Sequence, residues 1–167
     1  ITTAVQHVSC FSNQKTACAV RVCLACRRVR VRSAAPAFSA AGSRMAFVSR
    51  RDGNWELYVI NADASDQTRL TRSVADEGAS AFSPDGSKIV FSSGRGNEAD
   101  LYVIGADGSK PRRLTEDVFG EDNPVFSPYG LKIAFDSMRD GPAQVHVVGS
   151  EYRLAGKGGR FRWAPCT

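Results

Sequence analysis

The sequence predicts an all-β fold made of repeated small antiparallel sheets, and two observations support that prediction. First, the chain repeats itself, because Phe38, Phe82 and Phe126 follow one another at intervals of 44 residues. The first two repeats share 17 identities over 34 aligned positions, and the second and third share 11 over 23. Second, each repeat contains short runs of β-branched and aromatic residues between turn signals, with no long stretch of helical apolar periodicity.

Each repeat opens with a tight turn that leads into a strand. The segment Ser83–Gly86 reads Ser-Pro-Asp-Gly, which places Pro where φ must be about −65° and Gly where φ can be positive. The β-rich run Lys88–Ser93 follows it, and Arg44–Ser49 and Lys132–Ser137 occupy the same place in the other repeats. The sequence therefore predicts a turn and a strand at the start of every unit.

The second half of each repeat contains further strands. The run Asp100–Ile104 ends at the turn Ala106–Ser109, and the segment Arg112–Thr115, with its Arg-Leu-Thr triplet, predicts a short strand after it. A strand that leads into Phe126 completes a set of four per period. Four short strands in a period of about 40–45 residues are typical of a β-propeller blade, a small twisted sheet that stacks against its neighbours.

Alternating apolar side chains indicate that these sheets pack face to face. Ile89 and Phe91 lie on one face of their strand, and Tyr102 and Ile104 lie on one face of the next. The aromatic residues are therefore interpreted as core between blades rather than as a cage for a ligand.

Three such units are recognisable, whereas closed propellers typically have about four to eight blades. We therefore expect an incomplete or small propeller. It could be part of a longer chain, could close by self-association, or could use the first 35 residues as an unrecognised blade. The units are predicted at residues 36–78, 79–122 and 123–160, with the start of a fourth near Trp163.

The N-terminal segment, residues 1–35, does not follow the repeat. Residues 1–33 contain six basic residues and no acidic one, whereas the rest of the chain has 16 basic and 17 acidic residues. The basic run Arg27–Arg32 is interpreted as a charged strand or a disordered arm, because no aromatic residues interleave with it to stack on bases. We therefore expect no nucleic-acid-binding face on the propeller.

Four of the five cysteines fall in the same segment, and the fifth is at position 166. The C-x-x-C spacing of Cys23 and Cys26 is used in zinc and redox sites, but Cys10 and Cys18 do not supply a second such pair. No metal site is therefore predicted. Arg21 interrupts the apolar stretch before Cys26, so the segment is not a convincing signal peptide. No run approaches the ~20 apolar residues of a membrane span.

Two acidic positions recur with the repeat and define the candidate binding site. Glu77 and Glu121 are 44 residues apart, and each is expected just before the strand that lines a propeller's central channel. Glu121, Asp122 and Asn123 together offer several oxygen atoms, which are the ligands that a calcium-like cation requires. The alternative is that these are solvated loop carboxylates that recur because the repeat was duplicated.

The sequence contains no recognisable catalytic constellation. The G-x-S-x-G turn of a serine nucleophile does not occur, and Gly156–Gly159 lacks the spacing of a phosphate-binding loop. His146 occupies the position of Tyr58 and Tyr102 in the repeat, so it is interpreted as a substitution on a strand face. A non-enzymatic protein without a cofactor is therefore predicted.

The string FSPDGSKIVF…DLYVIGADGSKPRRLT closely resembles the WD-like repeat of TolB-type β-propellers, and the resemblance covers Pro36 to about Leu154. It implies a periplasmic or other extracytoplasmic location and a role in binding protein or peptide partners. For TolB these partners are a peptidoglycan-associated lipoprotein and segments of a Tol envelope protein. Related propellers imply two alternatives. One is a fragment of a serine peptidase that gates substrate access, with the catalytic triad on a separate α/β-hydrolase domain. The other is a polysaccharide-binding propeller.

Overall fold

The chain folds as three consecutive antiparallel sheets, each made from one stretch of sequence. A computed structural model describes residues 33–95, 98–116, 119–139 and 141–151. The basic, cysteine-rich segment up to residue 32 and the predicted start of a fourth unit near Trp163 lie outside these residues. Within them the regular structure is entirely β, which confirms the predicted fold class.

Each sheet, called a blade below, is a meander whose strands pair in chain order, and the described part of blade 3 has three strands where blades 1 and 2 have four. Blade 1 consists of β1 (Ser33–Phe38), β2 (Arg44–Ser49), β3 (Glu56–Asn61) and β4 (Thr68–Arg69). Blade 2 consists of β5 (Asp76–Phe82), β6 (Lys88–Arg95), β7 (Glu98–Gly105) and β8 (Arg112–Arg113). Blade 3 consists of β9 (Glu121–Phe126), β10 (Lys132–Ser137) and β11 (Gln144–Gly149).

The observed blade boundaries differ from the predicted ones by a few residues. β1 begins at Ser33, before the predicted start at residue 36, and the predicted divisions after residues 78 and 122 fall inside β5 and β9. The physical reason is that β5 and β9 both open on a pair of acidic residues, which in the sequence pattern resembles a loop.

The turns are held by the residues that the repeat places there. In blade 2 the hydroxyl oxygen of Ser83 accepts a hydrogen bond of 2.9 Å from the backbone N–H of Lys88, and Gly86 has a φ of 69°. That φ is costly for most residues with a Cβ atom, which explains the glycine. Ser39 and Ser127 accept the corresponding bond in blades 1 and 3, so the three turns share one arrangement although their sequences differ.

The Arg-Leu-Thr triplets fasten the outer edges of blades 1 and 2. The hydroxyl oxygens of Thr71 and Thr115 accept hydrogen bonds of 2.8 and 2.9 Å from the backbone N–H groups of Leu57 and Leu101. Leu114, in the second triplet, is fully buried. These contacts secure β4 and β8, because a strand of two residues makes few ladder hydrogen bonds of its own.

Two apolar layers join the blades. Ile89, Phe91 and Ile104 of blade 2 pack against blade 1, whereas Val90 and Val103, which alternate with them, pack against blade 3. All five side chains are buried. This arrangement confirms the prediction that the sheets pack face to face.

The strands β1, β5 and β9 are the innermost strands of the three blades, because β5 contacts both of the others while β4 and β8 lie at the outer edge. The stack of blades therefore has two ends. The crossover end comprises the connections at residues 70–75, 114–116 and 119–120 and the loops at residues 50–55, 138–139 and 141–143. The turn end comprises the turns at residues 39–42, 83–86 and 127–130.

Candidate channel-mouth site

Glu77 and Glu121, the recurring acidic residues, lie within the innermost strands and not before them as the sequence predicts. Glu77 is the second residue of β5 and Glu121 is the first residue of β9. Their exposed fractions are 4% and 0%, so neither is a solvated loop carboxylate. A buried carboxylate needs compensation from the protein, and the two residues obtain it in different ways.

Glu121 is compensated by an arginine of its own blade. Arg139, which follows β10, donates a hydrogen bond from Nη2 to Oε1 of Glu121 and forms an ion pair with it. The same guanidinium lies over the ring of Phe135, with Cζ 5.7 Å from the ring centroid, and Nε donates to Oγ of Ser137 at 3.4 Å. Glu121 therefore fixes the loop after β10 and is not available to an external ligand.

Glu77 is compensated more weakly. Oγ of Ser73 donates a hydrogen bond of 2.9 Å to Oε1, whereas Oε2 accepts no hydrogen bond within the described residues. Burial raises the pKa of Glu77, the hydrogen bonds from Ser93 and Ser73 oppose that rise, and the carboxylates of Glu56 and Asp76 add to it. Glu77 therefore holds its proton more tightly than an exposed glutamate does.

A second buried carboxylate, Glu56, lies at the start of β3. It accepts hydrogen bonds from Nη2 of Arg69 at 2.7 Å, from Oγ1 of Thr71 at 2.6 Å and from the backbone N–H of Ser73 at 3.1 Å. Ser73 thus binds Glu56 through its backbone and Glu77 through its hydroxyl. These two bonds anchor the connection between blades 1 and 2.

Sequence reasoning missed Glu56, although the repeat contained the signal. Asp100 occupies the same position in blade 2 and forms an ion pair of 2.6 Å with Arg113. An acidic residue at the start of the third strand, combined with the arginine of the Arg-Leu-Thr triplet, therefore marks an ion pair in both blades.

Asp122 and Asn123 are exposed, and they contact different partners. Oγ of Ser92 in blade 2 donates to Oδ1 of Asp122 at 2.7 Å, and Nδ2 of Asn123 donates to Oδ2 of Asp136 at 3.0 Å. Since Glu121 is paired with an arginine, the three side chains considered for a calcium-like cation do not converge on one point. The described residues contain no group of three or more His, Cys, Asp or Glu side chains that could hold a metal ion.

A polar cluster at the crossover end of blade 1 was also missed by sequence reasoning. The Tyr58 hydroxyl donates to Oδ2 of Asp52, and Nη1 of Arg69 lies 3.2 Å from the same oxygen. Cζ of Arg51 lies 4.4 Å from the centroid of the Tyr58 ring. Burial and the bond to Asp52 raise the pKa of Tyr58 to about 12, and the same hydrogen bond lowers the pKa of Asp52. Asp52 therefore stays ionised between two arginines and stabilises the loop at residues 50–55.

Large apolar side chains are exposed among these polar groups at the crossover end. The exposed fractions are 83% for Val74, 41% for Phe119 and 59% for Met138. Phe119 and Met138 belong to the same end of blade 3, since Ser137 pairs with Glu121 across β9 and β10. Loops that combine exposed apolar side chains with fixed polar ones are typical of protein-binding surfaces.

His146, the histidine within the described residues, is buried in the core. Its ring stacks on Phe135 with the centroids 5.8 Å apart, and the corresponding tyrosines of blades 1 and 2 form the same stacked pair. Its place in the repeat predicts this role, and the structure confirms it.

Four-stranded meanders that stack face to face beside one row of inner strands define the class of β-propeller proteins. The chain belongs to the TolB beta propeller domain family, whose model matches residues 11–115 and 76–157. No curated protein sequence matches the chain. Among the described residues there is no helix long and apolar enough to cross a membrane.

Solved structures of TolB proteins resemble this chain. A protein described as a TolB from Agrobacterium tumefaciens is 28% identical, with a TM-score of 0.63, and the match covers 71% of this chain and 46% of that one. TolB from Acinetobacter baumannii is 23% identical, with a TM-score of 0.64, and the match covers 77% and 33%. The chain therefore spans less than half the length of either structure.

A puromycin-hydrolysing peptidase from Mycobacterium tuberculosis shares the fold. It is 16% identical, with a TM-score of 0.57, and the match covers 71% of this chain and 19% of that one. An identity this low concerns the fold alone and not an activity.

Proposed function

We propose that the chain is a non-catalytic propeller module that binds a protein or peptide partner at its crossover end. The observation that supports this most directly is the exposure of Val74, Phe119 and Met138 on loops of a scaffold whose strands are buried. Binding residues concentrate on loops that a rigid scaffold positions. Exposed apolar side chains supply the anchors that such an interface needs.

The loops that carry these anchors are held in place by buried groups. Ser73, directly before Val74, is bonded to two buried carboxylates. Arg139, directly after Met138, is bonded to buried Glu121. Loops that are already ordered lose less conformational entropy when a partner binds, which favours affinity.

Carboxylates beside the anchors indicate the chemistry of the partner. Asp122 is exposed at the start of β9, and Asp76 is exposed at the start of β5. Both lie next to a crossover connection that carries an apolar anchor, Phe119 or Val74. A segment with an apolar side chain flanked by basic or amide donors would satisfy both kinds of group.

Membership of the TolB beta propeller domain family supports a protein partner and an extracytoplasmic location. The TolB structures are longer chains, so their whole-protein roles extend to this chain only as part of the proposal. The likeness to a peptidase at 16% identity supports the fold without supporting hydrolysis.

Peptide selection with the full chain tests this function. A random peptide library displayed on phage is panned against the immobilised chain, and enriched peptides are titrated calorimetrically into the wild type and two variants. We expect Phe119→Asp to weaken binding at least about tenfold, because it places a charge among the apolar anchors. Tyr129→Asp is the matched control, since Tyr129 is an exposed aromatic residue at the turn end.

Three results would contradict the proposal. Failure to enrich any peptide would remove the evidence for a binding site. Equal losses in Phe119→Asp and Tyr129→Asp would place binding somewhere other than the crossover end. Cleavage of the peptides by the purified chain would show that the module is catalytic.

A further inference from the structure

The outer face of blade 3 exposes a continuous patch of small apolar side chains, called the blade-3 face below. It consists of Val125 in β9, Ala134 in β10, and Val145 and Val147 in β11. Ala134 lies opposite both Val125 and Val147 in the strand register, and Val145 lies opposite Asp136. The exposed fractions are 54% for Val125, 72% for Val145 and 43% for Val147. The face points away from blade 2, because the residues that alternate with these pack against blade 2.

The corresponding faces of blades 1 and 2 are both covered. The residues at the same repeat positions are buried between blades: Ala46, Leu57 and Val59 in blade 1, and Val90, Leu101 and Val103 in blade 2. The blade-3 face has the same apolar character without that cover. A contiguous apolar patch of this kind normally binds a partner.

Two charges distinguish the blade-3 face from the covered ones. Lys132 and Asp136 flank Ala134 on β10 at a spacing of two residues, so both lie on the outer face. The position of Asp136 is taken by Val48 in blade 1 and by Ser92 in blade 2, and both are buried. A further blade stacked in the usual way would therefore bury a carboxylate where the existing interfaces bury a methyl group or a hydroxyl.

The outer face of blade 1 does not offer itself to a second copy. Phe47, Tyr58 and Ile60 occupy the positions of the blade-2 residues that receive blade 1, and they form a cluster that is already buried in the single chain. Head-to-tail closure, in which blade 3 of one copy packs on blade 1 of another, would require this cluster to be uncovered.

We infer that the blade-3 face packs on the blade-3 face of a second copy of this chain, around a two-fold axis. The axis lies between the two sheets, perpendicular to the strands and level with Ala134, so the two β10 strands run antiparallel. Lys132 then faces Asp136 of the partner subunit, and symmetry forms this pair twice. Val125 and Val147 meet their own counterparts. A two-fold axis along the strands would instead place lysine opposite lysine, so charge complementarity selects the first arrangement.

The geometry of sheet packing allows this contact. Aligned sheets pack about 10 Å apart, a gap that a lysine and an aspartate side chain span together. The crossover ends of the two copies point in opposite directions and stay open. The dimer is therefore independent of the proposed peptide binding and would double the number of binding ends.

Sedimentation equilibrium of the full chain at micromolar concentrations tests the inference. We expect a species of twice the 18.0 kDa chain mass. Val147→Lys should raise the dissociation constant at least about tenfold, because it places a charge at the centre of the contact. Lys132→Glu and Asp136→Lys should each weaken the dimer, and the double variant should return to within about threefold of the wild type, since it exchanges the charges.

Tyr129→Lys, an exposed position off the blade-3 face, is the matched control and should leave the dimer intact. Circular dichroism shows whether each variant is folded, and the substituted valine is exposed, so Val147→Lys is expected to fold. A monomer at all concentrations, or a dimer unaffected by Val147→Lys, would overturn the inference. Loss of the dimer in the charge variants without recovery in the double variant would overturn the two-fold arrangement and favour another contact.

Discussion

Blades 2 and 3 are built from the same repeat, yet residues at the same position have opposite environments. Leu101 is fully buried, whereas Val145, its counterpart 44 residues later, is 72% exposed. Both are apolar residues on the same face of the third strand of their blade. The repeat therefore determines the strands and the direction of each side chain, while the neighbouring sheet determines whether that side chain is buried.

Truncating the two counterparts should give the largest contrast. We expect Leu101→Ala to lower the free energy of unfolding by about 4 kcal/mol, because it leaves a cavity between two packed sheets. Val145→Ala should change it by less than about 0.5 kcal/mol, because an exposed side chain leaves no cavity. Urea denaturation monitored by circular dichroism measures both, at concentrations where the chain is monomeric. Similar losses in the two variants would show that the two environments are alike and that the comparison is wrong.

The second contrast is between Glu121 and Glu77, which occupy one repeat position but have different compensation. We expect Arg139→Ala to lower the free energy of unfolding by about 3 kcal/mol, because it leaves the buried carboxylate of Glu121 unpaired. Replacing the charge as well, in the double variant Arg139→Ala/Glu121→Gln, should recover a large part of the loss. If the double variant is no more stable than Arg139→Ala, the ion pair is not the cause. Urea denaturation at neutral pH provides both values.

The architecture was largely predictable from the sequence, and these acidic residues show where prediction failed. Strands, turns and face-to-face packing follow from local signals such as the Gly86 turn and the alternation of Ile89 and Phe91. The role of Glu121 depends on Arg139, which is distant in sequence and close only after β9 pairs with β10. An acidic pair at a strand start looks like a loop in a pattern, so both the blade boundaries and the burial of Glu77 were misjudged.

The exposed apolar residues of the candidate site were equally hidden from the sequence. Val74 and Phe119 lie in connections between blades, where the pattern contains no information about exposure. Their exposed fractions follow from the way the sheets stack, which is a property of the assembled blades. The sequence identified the correct end of the blades through Glu77 and Asp122 without identifying the side chains that dominate its surface.

The smallest expected effect is a difference in pH dependence between Glu77 and Asp85. Burial raises the pKa of Glu77 above its ordinary value of 4.5, so the native state holds this proton more tightly than the unfolded state. The wild type should therefore lose stability relative to Glu77→Gln as the pH rises from 4.5 through the raised pKa, and the difference should be constant below that range. Urea denaturation across this pH range measures it, and a difference that does not change with pH would contradict the assignment.

Asp85→Asn provides the control with the opposite sign. Hydrogen bonds from Ser83 and Ser87 lower the pKa of Asp85 from 3.8 to about 2. The stabilisation from Asp85 is therefore present above pH 3.8 and disappears as the pH falls towards 2. Asp85→Asn should be less stable than the wild type at neutral pH, and the two should converge in acid.

Hydrogen–deuterium exchange of the full chain, with and without a peptide selected by panning, tests the central claim most directly. The account predicts that the peptide slows exchange at the crossover end, at residues 70–77 and 119–123, and leaves the turns at residues 39–42, 83–86 and 127–130 unchanged. Protection confined to the turn end, or to the outer face of blade 3, would contradict the claim that this propeller binds partners through its crossover end.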